Sequence, residues 1–132
     1  MNGKDVVNIL IPKLLDMGFI VHCYNAKKTS SIYLKLDYGV SCGIRIADHP
    51  GKKKYHYRFN VIKDYDGDKV ILRDNLVSFF YNYDELDKVL EAVEDERKDK
   101  IKRYGKEGYQ RYMEIQSHDD LYERFNIMEG VA

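Results

Sequence analysis

Residues 30–62 constrain the fold of this chain more than any other stretch, because they alternate apolar and polar side chains with a period of two. Two turn signals divide the stretch into three segments, Asp-Tyr-Gly at residues 37–39 and His-Pro-Gly at residues 49–51. Alternation interrupted by such turns is typical of antiparallel strands with one buried and one displayed face. The sequence therefore predicts a three-stranded meander in this region.

The register of the meander follows from matching apolar faces, because a slip of one residue turns every side chain to the other face. The inward set that keeps one face apolar consists of Ile32, Leu34 and Leu36, then Ile46, Ile44 and Cys42, then Tyr57, Phe59 and Val61. The opposite, outer face then carries Tyr33, Lys35, Arg45, His56, Arg58 and Asn60. A bulged three-residue turn around Gly39 is expected between the first two strands.

In this register Arg45 and Arg58 are direct neighbours on adjacent strands. Like charges in that position are destabilising, so we expect a shared anion between the two guanidinium groups. The alternatives are an acidic residue of the C-terminal half, or water.

Helical periodicity flanks the sheet on both sides. The first helix carries the apolar stripe Val6, Ile9, Leu10, Leu14 and Met17, is expected to kink or end early at Pro12, and is closed by Gly18. A strand is predicted over residues 19–24 and another over 69–73, after a hairpin at Asp66-Gly67; residues 77–81 are either an edge strand or the approach to the next helix. A long helix is predicted from Asp84 to Gly105, followed by shorter helices around residues 109–115 and 117–125.

The predicted fold class is therefore α+β, with an N-terminal helix, an antiparallel meander sheet of four to five strands and a helical C-terminal region. A length of 132 residues suits one domain. We expect helix and sheet in residues 1–82 and the helical region in residues 83–132. Cys23 and Cys42 have no metal-type spacing and are expected to be reduced thiols in a cytoplasmic protein. No apolar run reaches the roughly 20 residues of a membrane span.

Charge is distributed unevenly along a chain whose formal net charge is zero. Residues 1–62 contain 10 Lys and Arg against 4 Asp and Glu, and residues 63–132 contain 12 against 18. The basic sheet half and the acidic helical half either meet different partners or attract each other.

Sequence patterns for catalysis are weak. The pair Asp48-His49 could act in acid–base chemistry, but these residues also suit the tight turn before Pro50, and the turn is the favoured interpretation. His49 and His56 show no metal-ligand spacing. No phosphate-binding glycine loop, nucleophile elbow or dinucleotide fingerprint is present. We therefore predict no catalytic residue, no metal site, no cofactor, and a protein that is not an enzyme.

Nucleic-acid binding has better support. The outer face combines tyrosine with basic residues. The hairpin between the second and third strands of the meander carries Lys52, Lys53 and Lys54. Together these groups suit an electrostatic and stacking surface for nucleic acid. The alternative is that the lysines keep the hairpin tip soluble.

The segments 31–34, 37–39, 44–49, 51–53 and 57–60 together resemble part of small phage and mobile-element proteins of Gram-positive bacteria. They are similar to a segment near the N-terminus of some anti-CRISPR proteins directed at type II-A Cas9 systems. The resemblance covers about a quarter of the chain and implies an accessory protein in the cytoplasm of a bacterial host. Such a protein would inhibit a defence nuclease, or its guide RNA complex, by binding.

Two surfaces could make that contact. The acidic surface of the long helix, with Glu91, Glu94, Asp95, Glu96 and Asp99, could occupy a basic channel of the target, or the basic sheet face could grip RNA or DNA. Charge complementarity of this kind sets specificity and association rate. The predicted binding residues are those of the sheet face and its hairpin: Tyr33, Lys35, Arg45, Asp48, His49, Lys52, Lys53, Lys54, His56 and Arg58.

Overall fold

The computed structural model describes residues 3–25, 31–46, 57–66, 69–81, 83–118 and 126–128, and the side chains of residues 3–25, 31–46 and 84–118. The elements in chain order are α1 (Gly3–Asp16), β1 (Val21–Asn25), β2 (Ile32–Leu36), β3 (Cys42–Ile46), β4 (Tyr57–Asp66), β5 (Lys69–Tyr81), a 3-10 turn (Tyr83–Glu85), α2 (Leu86–Ser117) and β6 (Asn126–Met128). No helix in these described ranges is both long and apolar enough to cross a membrane.

The predicted α+β class, with an N-terminal helix, an antiparallel sheet and a C-terminal helix, is confirmed. The described strands form one sheet in the order β5-β4-β3-β2-β1-β6. Strands β1 to β5 follow one another as a meander, and β6 pairs antiparallel with the free edge of β1. The predicted count of four to five strands is not confirmed, because the three residues of β6 are too short a run to show strand periodicity.

The register predicted from face matching is confirmed where the structure describes it. Strand β2 pairs with β3 through Ile32↔Ile46, Leu34↔Ile44 and Leu36↔Cys42. Strand β3 pairs with β4 through Ile46↔Tyr57, Ile44↔Phe59 and Arg45↔Arg58. The turn differs from the prediction: residues 37–41 connect β2 to β3, and three successive residues of this connection, Asp37, Tyr38 and Gly39, have φ values of 52°, 58° and 77°.

The chain between β4 and the C-terminal helix is more regular than expected. Strands β4 and β5 pair as far as Asp66↔Lys69, with a register irregularity between Val61 and Lys63. Residues 67–68, where the hairpin turn was predicted, lie outside the described residues. The predicted strand at 69–73 and the ambiguous stretch at 77–81 belong to one strand, β5.

A kink or an early end was expected at Pro12, and the early end is wrong because helix α1 runs through Pro12 to Asp16. Gly18 closes the helix as predicted: its φ is +86°, its N–H donates to the carbonyl of Leu15 at 2.9 Å, and the N–H of Phe19 donates to the carbonyl of Leu14 at 3.2 Å. The buried stripe is Val6, Val7, Leu10, Ile11 and Leu14. Ile9, which was predicted to be part of this stripe, is 40% exposed.

Helix α2 departs from the prediction at both ends of its first part. Glu85, not Asp84, is the N-cap residue, and its side chain makes no capping bond. Gly105 interrupts the helix, with φ 77° and ψ 163°, but helical structure resumes and continues to Ser117. These angles are accessible essentially only to glycine. The helix predicted at 109–115 is thus the second part of α2, and residues 119–125 of the last predicted helix lie outside the described residues.

Both helices cover the inner face of the sheet. The main core joins the buried stripe of α1 and residues Val89 and Val93 of α2 to Leu34, Leu36, Cys42, Ile44 and Ile46. A second apolar cluster forms beyond the Gly105 break, where Tyr109, Tyr112 and Met113 pack against Val40 in the β2–β3 connection. Helix α2 therefore packs against the sheet with its first part and against the β2–β3 connection with its second part.

A buried carboxylate, Asp37, joins these parts. Its Oδ1 accepts the backbone N–H of Ile20 at 3.0 Å, and its Oδ2 accepts the hydroxyl of Tyr109 at 2.6 Å. The Nε of Arg97 lies 3.3 Å from the same Oδ2. A buried charge is stable only when it is paired and hydrogen-bonded, so the β2–β3 connection, the start of β1 and both parts of α2 have to come together around Asp37.

Two cations of α2 complete this buried polar cluster. The guanidinium of Arg97 lies over the ring of Phe19, 4.5 Å from its centroid, and donates to the carbonyls of Met17 at 2.9 Å and Gly18 at 3.3 Å. Lys100 is 1% exposed, and its Nζ donates to the carbonyls of Val40 and Ser41, both at 2.6 Å. These bonds satisfy main-chain acceptors that lie in turns, outside the helices and the strands of the sheet.

We predict that Tyr109→Phe lowers the free energy of unfolding by about 1.5–3 kcal/mol at pH 7, because it removes a hydrogen bond to a charged acceptor while keeping the ring. Burial and the nearby Asp37 carboxylate raise the pKa of Tyr109 above its ordinary value of 10.0. The contribution of the hydroxyl is therefore fully present below pH 10 and is lost as the pH rises further. Urea unfolding of the unsubstituted protein and of Tyr109→Phe, at pH 7 and above pH 10, measures the difference between their free energies of unfolding. This difference should be smaller at the higher pH. Equal stabilities at pH 7 would contradict the prediction.

Candidate functional site

The outer face of the sheet brings tyrosine and arginine into one row that crosses the strands. Tyr24 of β1 is in register with Tyr33 of β2, Tyr33 with Arg45 of β3, and Arg45 with Arg58 of β4. We call these four residues the outer row. The described side chains of the row, those of Tyr24, Tyr33 and Arg45, are all partly exposed. A groove or cavity is not required for a partner to reach them.

Ring contacts run along the outer row. Tyr24 and Tyr33 are stacked, with ring centroids 5.1 Å apart and planes inclined by 10°. This separation is close to the spacing of neighbouring strands, as expected for rings that stand side by side. The guanidinium of Arg45 lies over the ring of Tyr33, 5.9 Å from its centroid. Both neighbours of Tyr33 in the row, Tyr24 and Arg45, therefore contact its ring.

Two local features position the cations beside these rings. The Nε of Arg45 donates to the hydroxyl of the buried Ser31 at 3.2 Å, which restrains the guanidinium. Lys35 lies in the neighbouring row, in register with Gly43. A Cβ at Gly43 would be 3.4 Å from the Nζ of Lys35, so the absence of a side chain at Gly43 lets Lys35 lie along β3.

Three of the predicted binding residues, Tyr33, Lys35 and Arg45, are thus brought together on one face. Arg58 is in register beside Arg45, and only its backbone is described. The remaining predicted residues lie outside the described residues: Asp48, His49, Lys52, Lys53, Lys54 and His56. The sequence analysis missed Tyr24, which could have been found by pairing β1 with β2 in the way that β2 was paired with β3.

The hydroxyl of Tyr24 keeps its proton more firmly than an ordinary tyrosine. Burial, together with the neighbouring Tyr33, raises its pKa above the ordinary value of 10.0. At neutral pH the group is therefore a protonated hydroxyl, which can donate a hydrogen bond to an anion.

Two exposed residues of the acidic surface proposed for the long helix are paired with cations of the same helix. Glu94 pairs with Lys98 at 3.0 Å and Asp99 with Arg103 at 2.6 Å, both at i,i+4 spacing. Glu96 is 18% exposed and lies 3.7 Å from the buried Lys100. All of these acidic residues except Glu96 are exposed, and Glu91 and Asp95 form no ion pair within the described part of the chain. This pattern is typical of a solvated helix stabilised by mixed charges.

Among the residues that the structure describes, no group of three or more His, Cys, Asp or Glu side chains could hold a metal ion. Both cysteines are free, Cys42 being buried and Cys23 partly buried. Burial raises the pKa of Cys23, and it raises the pKa of Cys42 from 9.0 to about 12. A thiol is a nucleophile only as the thiolate, so these positions suit packing rather than chemistry.

We predict that iodoacetamide at pH 8 modifies Cys23 slowly and leaves Cys42 unmodified until the protein unfolds. Because the native pKa of Cys42 is raised, its contribution to stability is present below pH 9 and is lost as the pH rises towards 12. Mass spectrometry after alkylation measures both sites, and the Cys23→Ser variant isolates Cys42. Rapid labelling of Cys42 in the folded variant would show that the thiol is not buried.

Comparison with known proteins assigns no family to the chain. No protein-family model matches it, and neither a curated protein nor a solved structure matches it significantly.

Proposed function

We propose that the protein acts by binding rather than by catalysis, and that the outer face of its sheet binds the phosphate backbone of nucleic acid. The observation that carries this proposal is the outer row, in which two stacked tyrosines continue in register into Arg45 and Arg58. Hydroxyl groups and guanidinium groups are the donors that phosphate oxygens accept from proteins. Two arginines on adjacent strands also repel each other unless an anion lies between them.

The geometry favours contact with phosphates over stacking on bases. A base needs an open aromatic face, whereas Tyr33 has Tyr24 on one side and Arg45 on the other. Lys35 adds a further positive charge on the same face. Binding through the backbone depends little on base sequence and strongly on salt. The expected ligand is therefore RNA or DNA recognised by charge and shape.

We predict that the protein binds a labelled oligonucleotide at low salt, and that Arg45→Gln weakens binding several-fold. The slope of log affinity against log salt concentration should fall by about 0.7–0.9, the value for one lost phosphate contact. Tyr33→Phe, which keeps the ring and removes the hydroxyl, should also weaken binding. Fluorescence anisotropy over a series of salt concentrations measures all three proteins.

The matched control is Lys4→Gln/Lys13→Gln, which removes exposed positive charge from α1. This variant should bind as the unsubstituted protein does. Absence of oligonucleotide binding at low salt would reject the proposal. Normal binding by Tyr33→Phe would show that the Tyr33 hydroxyl does not contact the nucleic acid.

A second proposed function is inhibition of a type II-A Cas9 through its guide RNA complex. The specific observation in its favour is that three residues of the segments that resemble anti-CRISPR proteins, Tyr33, Arg45 and Arg58, lie in the outer row. On this proposal the sheet face associates with the loaded nuclease and prevents its action without any chemical step. The protein would then act as a phage or mobile-element accessory in a bacterial cytoplasm.

We predict that the purified protein co-elutes with a type II-A Cas9 bound to its guide RNA and suppresses cleavage of target DNA. Arg45→Ala/Arg58→Ala should restore cleavage, because it removes two positive charges from the outer row, whereas Lys4→Gln/Lys13→Gln should inhibit normally. Size-exclusion chromatography and a cleavage assay provide the two measurements. Unimpaired cleavage by several type II-A nucleases would contradict this function while leaving nucleic-acid binding by the protein intact.

A further inference from the structure

Helix α2 carries two oppositely charged stretches, although the C-terminal half as a whole is acidic. Residues 84–99 contain 8 acidic and 3 basic residues, whereas residues 100–111 contain 5 basic residues and 1 acidic residue. The change of sign occurs just before the break at Gly105. Because surface charges act over about 10 Å at ordinary ionic strength, the two stretches present separate fields to a partner.

Apart from the buried Lys100, the fold directs the cations of the basic stretch outward. Beyond the break, Tyr109, Tyr112 and Met113 face the β2–β3 connection and are buried. The charged residues on the remaining surface are exposed: Lys102, Arg103, Lys106, Glu107 and Arg111. We call Lys102, Arg103, Lys106 and Arg111 the basic bend.

Aromatic rings restrain the two arginines of the basic bend. The guanidinium of Arg103 lies over the ring of Tyr104, 5.7 Å from its centroid, and that of Arg111 lies over Tyr112 at 5.4 Å. The two rings contact each other edge to face, with centroids 5.3 Å apart. Arg103 also pairs with Asp99 at 2.6 Å. A guanidinium that is already positioned loses less conformational entropy when it binds.

A groove opens at the break itself. It has a volume of about 610 Å³ and is lined by Tyr104, Gly105, Lys106, Glu107, Gly108 and Arg111. A Cβ at Gly105 would meet nothing within 4 Å, so the groove is open above the backbone at this point. A lysine and an arginine flank it, with Glu107 as the acidic residue of the lining. An extended phosphodiester chain can approach such a glycine backbone closely while its phosphates meet the cations.

We infer that the basic bend is a second contact surface for a nucleic-acid backbone, separate from the outer row. The inference rests on the proposed nucleic-acid function and adds to it that the ligand is also held by α2. The basic bend and the outer row then both contribute to the salt dependence of binding. The acidic stretch of α2 does not take part, because its charge repels phosphate.

The test compares Lys106→Gln/Arg111→Gln with Lys88→Gln/Lys98→Gln. The first variant removes the two cations that line the groove. The second removes two exposed lysines, 67% and 72% exposed, from the acidic stretch of the same helix. Binding of a labelled single-stranded oligonucleotide and of its duplex is measured by anisotropy over a series of salt concentrations. Circular dichroism and thermal unfolding establish that both variants fold.

We expect the first variant to bind on the order of tenfold more weakly near 0.1 M salt, with a slope reduced by about 1.4 for the single strand and 1.8 for the duplex. The matched variant should bind about as tightly as the unsubstituted protein, because its two substituted lysines lie in the acidic stretch, outside the proposed contact. Equal slopes for the two variants, while Arg45→Gln remains defective, would overturn the basic bend and leave the proposed function standing. Absence of binding by the unsubstituted protein would overturn both.

Polyglutamate serves as a competitor that tests an acidic protein as the alternative partner. Three results together would overturn the inference: polyglutamate binds the unsubstituted protein, it binds Lys106→Gln/Arg111→Gln more weakly, and that variant binds the oligonucleotide as tightly as the unsubstituted protein does. The basic bend would then contact an acidic protein. A low-affinity, variant-independent interaction with polyglutamate would support the nucleic-acid assignment.

Discussion

The buried carboxylate of Asp37 is the interaction on which the rest of the structure depends. A charge with no exposed surface has to be answered by nearby partners, and its partners come from separated parts of the chain. The backbone N–H of Ile20 and the hydroxyl of Tyr109 donate hydrogen bonds to Asp37, and the guanidinium of Arg97 forms an ion pair with it. Arg97 and Lys100 in turn satisfy backbone carbonyls at the α1–β1 and β2–β3 connections. The two apolar clusters are thereby joined through polar contacts whose geometry tolerates little displacement.

The outer row depends on the same connection. Asp37 begins the turn between β2 and β3, and that turn determines which residues of the two strands are opposite each other. With Leu36 paired to Cys42, Tyr33 is necessarily beside Arg45. A shift of one residue would move both side chains to the inner face, so the polar cluster and the apolar core together hold the tyrosines and arginines on one surface. The contacts that stabilise the fold and the surface proposed for binding are therefore coupled through register.

Charge summed over whole halves of the chain does not describe how charge is arranged on the helix surface. The acidic excess of residues 63–132 suggested an acidic helix, yet Glu94 and Asp99 are paired with Lys98 and Arg103. The net charge of a segment does not show which charges neighbour one another, because the helical i,i+4 spacing brings opposite charges together. The helix, which is interrupted at Gly105, also exposes a basic stretch, although the net charge of residues 63–132 is negative.

Much of the sheet could be predicted from residues 30–62, because alternation and apolar matching along neighbouring strands are local properties. Register and the Arg45–Arg58 pair followed from them. The end of α1 at Gly18 followed instead from the position of a glycine after the apolar stripe of the helix. These local properties did not predict the stack of Tyr24 and Tyr33, the pairing of β6 with β1, or the burial of Asp37 and Lys100. Each of these depends on residues 9 to 107 positions apart in the chain. Sequence by itself determined which side chains share a face; only tertiary structure decided which charges are buried, because burial is set by what packs against that face.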